Sequence, residues 1–293
     1  MGLLDGKVAI ITGAGGGVGR AHALELARLG AAVVINDLGG AVDGSGGGDR
    51  TADVVVNEIK EAGGRAVADY GSVTVEKDAQ AMVDLACSEF GKVDILINNA
   101  GILRDKSFKN MDEDMWDMVI DVHLKGTYFV TRAAYDRMLE QGQGGRIIMT
   151  SSTSGLIGNF GQTNYGAAKA GIAGFMRCLA IEGKKANITV NVLAPNAYSR
   201  MTKDLFPEGS DVNFAPEKVS PAVAWLCSDE AADITGRQFA VSGNRVSLLY
   251  PAAFTIAARD HQEKAWSVDE IGNLIRQSVD NWPEAADVVK VLF

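Results

Sequence analysis

Five short apolar runs punctuate the chain: KVAIITG, AAVVINDLG, KVDILINNAG, GRIIMTSS and NITVNVLAP. Each is rich in β-branched residues and bounded by Gly, Asn or Pro, the pattern of a strand buried on both faces of a parallel sheet. Helical spacing fills the intervals, at residues 18–29, 50–62, 76–90, 112–140 and 165–185. Strand and helix therefore alternate, and right-handed crossovers wind such an order into an open parallel sheet with helices on both faces. A last strand is expected near 238–241. The architecture read from this pattern is α/β, a Rossmann-like doubly wound parallel sheet in a single domain.

At 293 residues the chain is long enough for one large α/β domain or two small ones, and no Pro/Ser-rich linker or charge run divides it. The alternation weakens after about Ser242. Ser267 with Glu270 three residues on is a capping box, which predicts a helix over 268–279. The expected division is a catalytic body over 1–243 and a C-terminal helical extension over 244–293, packed on the body or at a subunit interface.

A formal net charge of −9 argues against nucleic acid or anionic membrane as partner, and leaves a small molecule as the expected one. Cys87, Cys178 and Cys227 are far apart and match no disulfide or metal-ligand spacing, so no metal is expected and the setting is reducing. No apolar stretch approaches bilayer length, and neither MGLLDG nor KVLF reads as a targeting or lipidation signal. A soluble, cytoplasmic protein is the expectation.

TGAGGGVG, residues 12–19, follows the first strand directly and opens the first helix. In that context Gly13 permits the tight turn, Gly17 lets backbone approach a pyrophosphate, and Gly19 allows the helix to lie close to the strand. Asp37 ends the second strand eighteen residues beyond Gly19. Its carboxylate is placed to accept the adenine-ribose hydroxyls and to repel a 2′-phosphate, which favours NAD over NADP; the alternative is a turn residue after a strand. Gly16 offers no cation to such a phosphate. NNAG, residues 98–101, ends the strand VDILI, and suits both a cofactor wall and a turn that stitches neighbouring strands. The loop DGSGGGD, residues 43–49, receives no ligand.

Tyr165 and Lys169 are four residues apart, hence on one face of a helix, and Ser152 precedes them at a strand end. A cation beside a phenol favours its ionised form, so the pKa of Tyr165 is expected to be drawn toward working pH. A phenol so tuned exchanges protons with an alcohol or ketone. Taken alone, the same spacing also decorates many solvated helix faces.

Together these residues resemble the short-chain dehydrogenase/reductase superfamily: TGAGGGVG as its glycine motif, NNAG as its structural motif, and Ser152, Tyr165 and Lys169 as its catalytic residues, thirteen positions separating Ser from Tyr. The resemblance runs from Lys7 to about Gly243. NDLGG, DVHLKG, GNFGQTNY and APNAYSRMT are further similar to the (3R)-hydroxyacyl-CoA dehydrogenase region of peroxisomal multifunctional enzymes and its bacterial single-domain relatives.

The resemblance implies an NAD-dependent oxidoreductase acting on CH–OH groups, with Tyr165 as general acid/base, Ser152 orienting the substrate oxygen, and Lys169 on the nicotinamide ribose. The implied cofactor contacts are Gly13, Gly17, Val18, Gly19, Asp37, Asn98, Ala100, Gly101, Tyr165 and Lys169. The implied substrate is a (3R)-3-hydroxyacyl-CoA, with a steroid or steroid-derived CoA ester as the alternative, and the implied assembly is a homodimer or homotetramer on the helices of 112–140 and 165–185.

Three departures stand out. His123 occupies the place of a relay Asn, which leaves a relay through imidazole, no relay, or a packed histidine without chemical role. Asn196 stands where Gly is usual after Pro195, and Arg200 where Thr is usual, leaving Ser199 or Thr202 for the carboxamide contact. The segment 196–207 is expected to border the substrate, with Met201, Leu205 and Phe206 as an apolar wall or as ordinary helix packing.

Overall fold

The computed structural model describes residues 2–48, 50–202, 209–260, 262 and 264–282. They form an eight-stranded sheet in the order β3-β2-β1-β4-β5-β6-β7-β8. The strands are β1 Val8–Thr12, β2 Ala32–Asn36, β3 Arg65–Asp69, β4 Ile95–Asn98, β5 Gly145–Thr150, β6 Ile188–Asn196, β7 Gln238–Ser242 and β8 Arg245–Leu249. All pair in parallel from β3 through β7, and β8 closes the edge antiparallel to β7. The order reverses between β1 and β4, and the crevice beyond the carboxyl ends of those strands is where such a sheet binds its ligand.

Successive strand residues point to opposite faces, so each buried strand feeds two cores. On one face Ile11, Val33, Ile35, Ile97 and Ile148 pack against α1 Gly17–Arg28, α2 Thr51–Glu61 and a later helix, Ser220–Leu226. On the other, Ile10, Val34, Leu96, Ile147 and Val192 pack against α3 Glu76–Phe90, and against Gly126–Gln141 and Thr163–Gly183. Burying one such side chain contributes about 1.5–3 kcal/mol, which explains why these runs carry almost no polar residue.

The stretch 112–140, expected as one helix, is three pieces: α4 Glu113–Ile120, a π-helical turn Asp121–Lys125, and α5 Gly126–Gln141. The wider turn carries His123, which lines the cavity. Beyond it lie α6 Thr163–Gly183, α7 Ser220–Leu226 and α8 Val268–Ser278.

Three elements had no clear sequence signal. β3 is an edge strand whose side chains are mostly half-buried, β8 has Val246 and Leu248 exposed, and α7 is a short turn of helix with Pro221 near its start. The sheet thus runs on to Leu249, past the point where the apolar rhythm fades. The expected α8 does form, capped as predicted: Ser267 Oγ accepts from Glu270 N at 3.2 Å and Ser267 N donates to Glu270 Oε2 at 2.7 Å. It buries none of its residues.

Candidate active site

β1 delivers Thr12 to the crevice, where its Oγ1 accepts the amides of Asn99 and Ala100, each at 3.0 Å. Asn99 returns the contact, its Nδ2 donating to Thr12 O and Gly13 O at 3.0 Å. The glycine turn and the NNAG turn are therefore one hydrogen-bonded unit. Gly19 is required by it, because a Cβ there would fall 2.4 Å from Gly13 O and 2.5 Å from Asn99 Nδ2.

Asp37 braces the same unit from β2: its Oδ2 accepts from Gly15 N and its Oδ1 from Gly39 N, both at 2.8 Å. The bonds to Gly15 and Gly39 are those of a turn residue, and Asp37 also lines the cavity.

That cavity has a volume of about 560 Å³, and its wall includes Gly13, Gly17, Val18 and Gly19 at one end and Ser152, Tyr165 and Lys169 at the other. A space of this size, with convergent polar groups and an exposed helix N-terminus, fits a dinucleotide. Ala100 and Gly101 lie in the wall between. Asn98 does not: its Nδ2 donates to Thr131 Oγ1 at 2.9 Å, inside the core, and the wall there is Asn99. The adjacent strand pleat turns one Asn of the pair inward and leaves the next at the crevice.

Sequence reasoning passed over two further stretches of wall. The loop after β2 folds back on the one after β4, Leu103 N donating to Val42 O at 2.9 Å, so that Ala41, Val42 and Gly44 line the cavity. Ser72 to Thr74, beyond β3, line it as well. Both signals lie in loop contacts between distant segments, which no local pattern encodes.

Lys169 sits one turn along α6 from Tyr165, its Nζ 5.4 Å from the centre of the phenol ring. That Nζ donates to Thr150 O at 2.7 Å, and Ser151 Oγ donates to Lys169 O at 2.8 Å, which fastens α6 to the end of β5. The Ser152 hydroxyl accepts from Ser154 N at 3.1 Å and lines the cavity together with the Tyr165 phenol. Gln162 knots the segment beneath: its Oε1 accepts from Ser154 Oγ at 2.8 Å, and its Nε2 donates to Asp105 Oδ2 at 2.7 Å.

Electrostatics here run opposite to the expectation for the phenol. Burial pushes the Tyr165 pKa up to about 12, with the neighbouring Ser152 hydroxyl pulling it back and the Asp105 charge adding to the rise. Burial also pulls the Lys169 pKa down to about 7, so near neutral pH the amine is charged only part of the time. Desolvation is the largest cause at both groups.

His123 is fully buried, its ring meeting Tyr165 edge-on with centroids 5.1 Å apart. Its Nε2 lies 2.8 Å from Ile102 O and 3.1 Å from Ile102 N, and bonds one or the other according to tautomer. The ring fills the place a side chain on Gly101 would take, a Cβ there falling 2.4 Å from Cε1. Burial, then the nearby Lys169, holds its pKa well below 6.5, so the imidazole is neutral. Nδ1 is buried without a partner among the described residues. Of the three readings, the packed and backbone-bonded histidine describes this geometry.

After β6, Met201 lines the cavity, while Leu205 and Phe206 lie outside the described residues. Thr202 Oγ1 donates to Ala197 O at 2.6 Å and accepts from Ser199 N at 2.9 Å, so this hydroxyl closes its own loop.

The short chain dehydrogenase family model matches residues 7–208. The chain belongs to that family. This short-chain dehydrogenase is 52% identical over 240 residues to a short-chain type dehydrogenase/reductase of Mycobacterium tuberculosis, covering 82% of this chain and 83% of that protein. To peroxisomal multifunctional enzyme type 2 of Mus musculus it is 50% identical over 245 residues, which are 84% of this chain and only 33% of the mouse enzyme. A hydroxyacyl-CoA dehydrogenase of M. tuberculosis is 39% identical over 279 residues, 91% of this chain and 84% of that one.

Among solved structures, a short chain dehydrogenase from Mycobacterium avium superposes with a TM-score of 0.85 at 43% identity, covering 98% of this chain and 99% of that one. Carveol dehydrogenase from M. avium in complex with NAD superposes at 0.75 with 28% identity, over 82% and 98% of the two chains. Family and relatives together make the short-chain dehydrogenase an oxidoreductase acting on CH–OH groups with a nicotinamide dinucleotide.

Proposed function

We propose that the chain oxidises a (3R)-3-hydroxyacyl-CoA to the 3-ketoacyl-CoA, reversibly and with NAD. The observation that carries this reading is the one cavity whose wall joins Ser152, Tyr165 and Lys169 to the glycine turn and Asp37. The substrate hydroxyl is held by Ser152 and Tyr165. Its proton passes to the Tyr165 oxygen as hydride leaves the carbinol carbon and the C=O bond forms. NAD, when bound by these residues, would supply the hydride acceptor and a positive ring that favours the ionised Tyr165 phenol needed to take the proton, which burial alone opposes.

Lys169 donates to Thr150 O and, when protonated, has two further N–H groups for the ribose of the nicotinamide half. Gly13, Gly17, Val18 and Gly19 face the pyrophosphate, Ala100 and Gly101 the ribose on the nicotinamide side, and Asp37 the adenine ribose. His123 acts as a positioning residue, a neutral strut between the NNAG turn and the Tyr165 ring.

Two features support the acyl-CoA. The relative called a hydroxyacyl-CoA dehydrogenase matches over 91% of this chain. The segment between Ser152 and α6, whose Ser154 and Asn159 line the cavity, also presents Leu156 and Phe160 to solvent, Phe160 89% exposed. Between α5 and α6, Tyr128 meets Phe129 and Phe175 in tilted ring contacts while remaining 48% exposed, which supports a homo-oligomer built there.

Steady-state kinetics with 3-hydroxyacyl-CoAs of several chain lengths, a steroid alcohol and a steroid-derived CoA ester, each with NAD and NADP, test the reading. The highest kcat/KM is expected for a (3R)-hydroxyacyl-CoA with NAD. A preference for the steroid ester would reassign the substrate, and a preference for NADP would overturn the reading of Asp37.

A further inference from the structure

The loop after β6 does more than border the substrate end. Arg200 lies over the glycine turn: its Nη2 is 3.7 Å from where a Cβ on Gly16 would stand, and the Ser199 Cβ is 3.6 Å from the corresponding point on Gly17. Both side chains line the same cavity as the turn. Arg200 is exposed, and among the described residues it makes no ion pair with a carboxylate. The loop that carries it is held by the Thr202 bonds to Ala197 O and Ser199 N. A guanidinium thus lies beside Gly16 at the start of α1, on the wall of the same cavity.

We propose that Arg200 is an anion clamp, closing over the pyrophosphate of the dinucleotide from the side opposite the α1 N-terminus. A guanidinium matches a phosphate in geometry and in charge, forming paired N–H···O bonds that a threonine hydroxyl cannot supply. With Gly16 contributing no side chain, Arg200 provides from a distant loop the cation that the turn itself lacks. Coenzyme A also carries a pyrophosphate. Arg200 is assigned to the dinucleotide because it faces the glycine turn rather than the rim formed by Leu156 and Phe160.

This assignment rests on the dinucleotide-binding reading of the cavity, and binding measurements separate the two. Calorimetry with NADH and ADP-ribose on the unmodified protein tests the cavity; failure to bind either overturns both readings. The same titrations on Arg200→Ala and Arg200→Lys test the clamp, with adenosine, by saturation-transfer NMR, and free coenzyme A as controls. Arg200→Ala is expected to weaken NADH and ADP-ribose about 10- to 100-fold, to leave adenosine within about twofold, and to flatten the salt dependence of ADP-ribose binding. Arg200→Lys should recover part of the loss, and unchanged thermal unfolding should show that the exposed substitution leaves the fold intact. The clamp is overturned if the unmodified protein binds ADP-ribose and Arg200→Ala binds it equally well. Equal weakening of adenosine, or weakening confined to coenzyme A, overturns it too.

Discussion

At the cofactor end of the cavity the wall is backbone, with Thr12, Gly13, Asn99 and Ala100 bonded into one unit and Asp37 bracing it through two amides. At the other end it is side chain: Met201 on a loop closed by one hydroxyl, and Ser154, Asn159 and Gln162 on the segment before α6, which also carries the exposed Leu156 and Phe160. Between them lies the chemistry, on the ends of β5 and α6, fixed by bonds from Lys169 Nζ and Ser151 Oγ. A backbone wall tolerates few residues and recognises what all dinucleotides share. A side-chain wall accepts substitution and sets which alcohol enters. The contrast separates a reaction that is fixed from a specificity that is open to change.

Breaking the centre should have the largest effect. Tyr165→Phe is expected to lower kcat about 10²- to 10⁴-fold while NADH affinity stays within about twofold, read by stopped-flow turnover and by calorimetry. Near-normal turnover would remove the phenol from the mechanism. At the cofactor end, Gly19→Ala drives a Cβ to 2.4 Å from Gly13 O, and the expected cost is about 1–3 kcal/mol of stability together with loss of NADH binding. Denaturant unfolding and titration measure the two, and retention of both would deny that the turns form one unit. Asp37→Ser should shift the NAD/NADP ratio of kcat/KM toward NADP by about tenfold or more, through removal of one close negative charge.

The buried amine gives the comparison a pH axis. Lys169, at about 7 against an ordinary 10.5, is a base whose folded pKa is lowered, so between those values the unfolded chain binds the extra proton and stability rises with pH. From pH 7 to pH 10 that slope amounts to about 4 kcal/mol for this group, and Lys169→Met should abolish it in urea melts taken across the window. Above pH 10 the raised pKa of Tyr165 reverses the sign, since the folded chain then holds the extra proton.

The smallest change is expected at the rim. Phe160→Ala should raise KM for long-chain acyl-CoAs about tenfold with kcat and short-chain KM nearly unchanged. Equal effects at all chain lengths would place the acyl chain elsewhere.

The same contrast decides what could be read before the structure. The strands buried on both faces, and α3 with its 76–90 boundaries, stand out because burial leaves a continuous or periodic apolar signature. The glycine turn is legible because steric exclusion acts within a few residues. Edge strands β3 and β8, half exposed, carry no such signature. The π turn around His123 is hidden because one added residue in a helix leaves the apolar pattern almost intact. Asn99 rather than Asn98 at the wall depends on pleat phase, and the rise in the Tyr165 pKa depends on burial that only the folded neighbours create. Arg200 reads as a departure in the sequence; its place over Gly16 emerges from tertiary packing alone.

A crystal structure of the NAD complex tests the central claim most directly. The account predicts the pyrophosphate between the α1 N-terminus and Arg200, the adenine ribose on Asp37, and nicotinamide C4 within about 4 Å of the position an alcohol carbon takes when its oxygen bonds Ser152 and Tyr165. A nicotinamide ring held away from Tyr165, or a dinucleotide that leaves Asp37 and the glycine turn uncontacted, would contradict it.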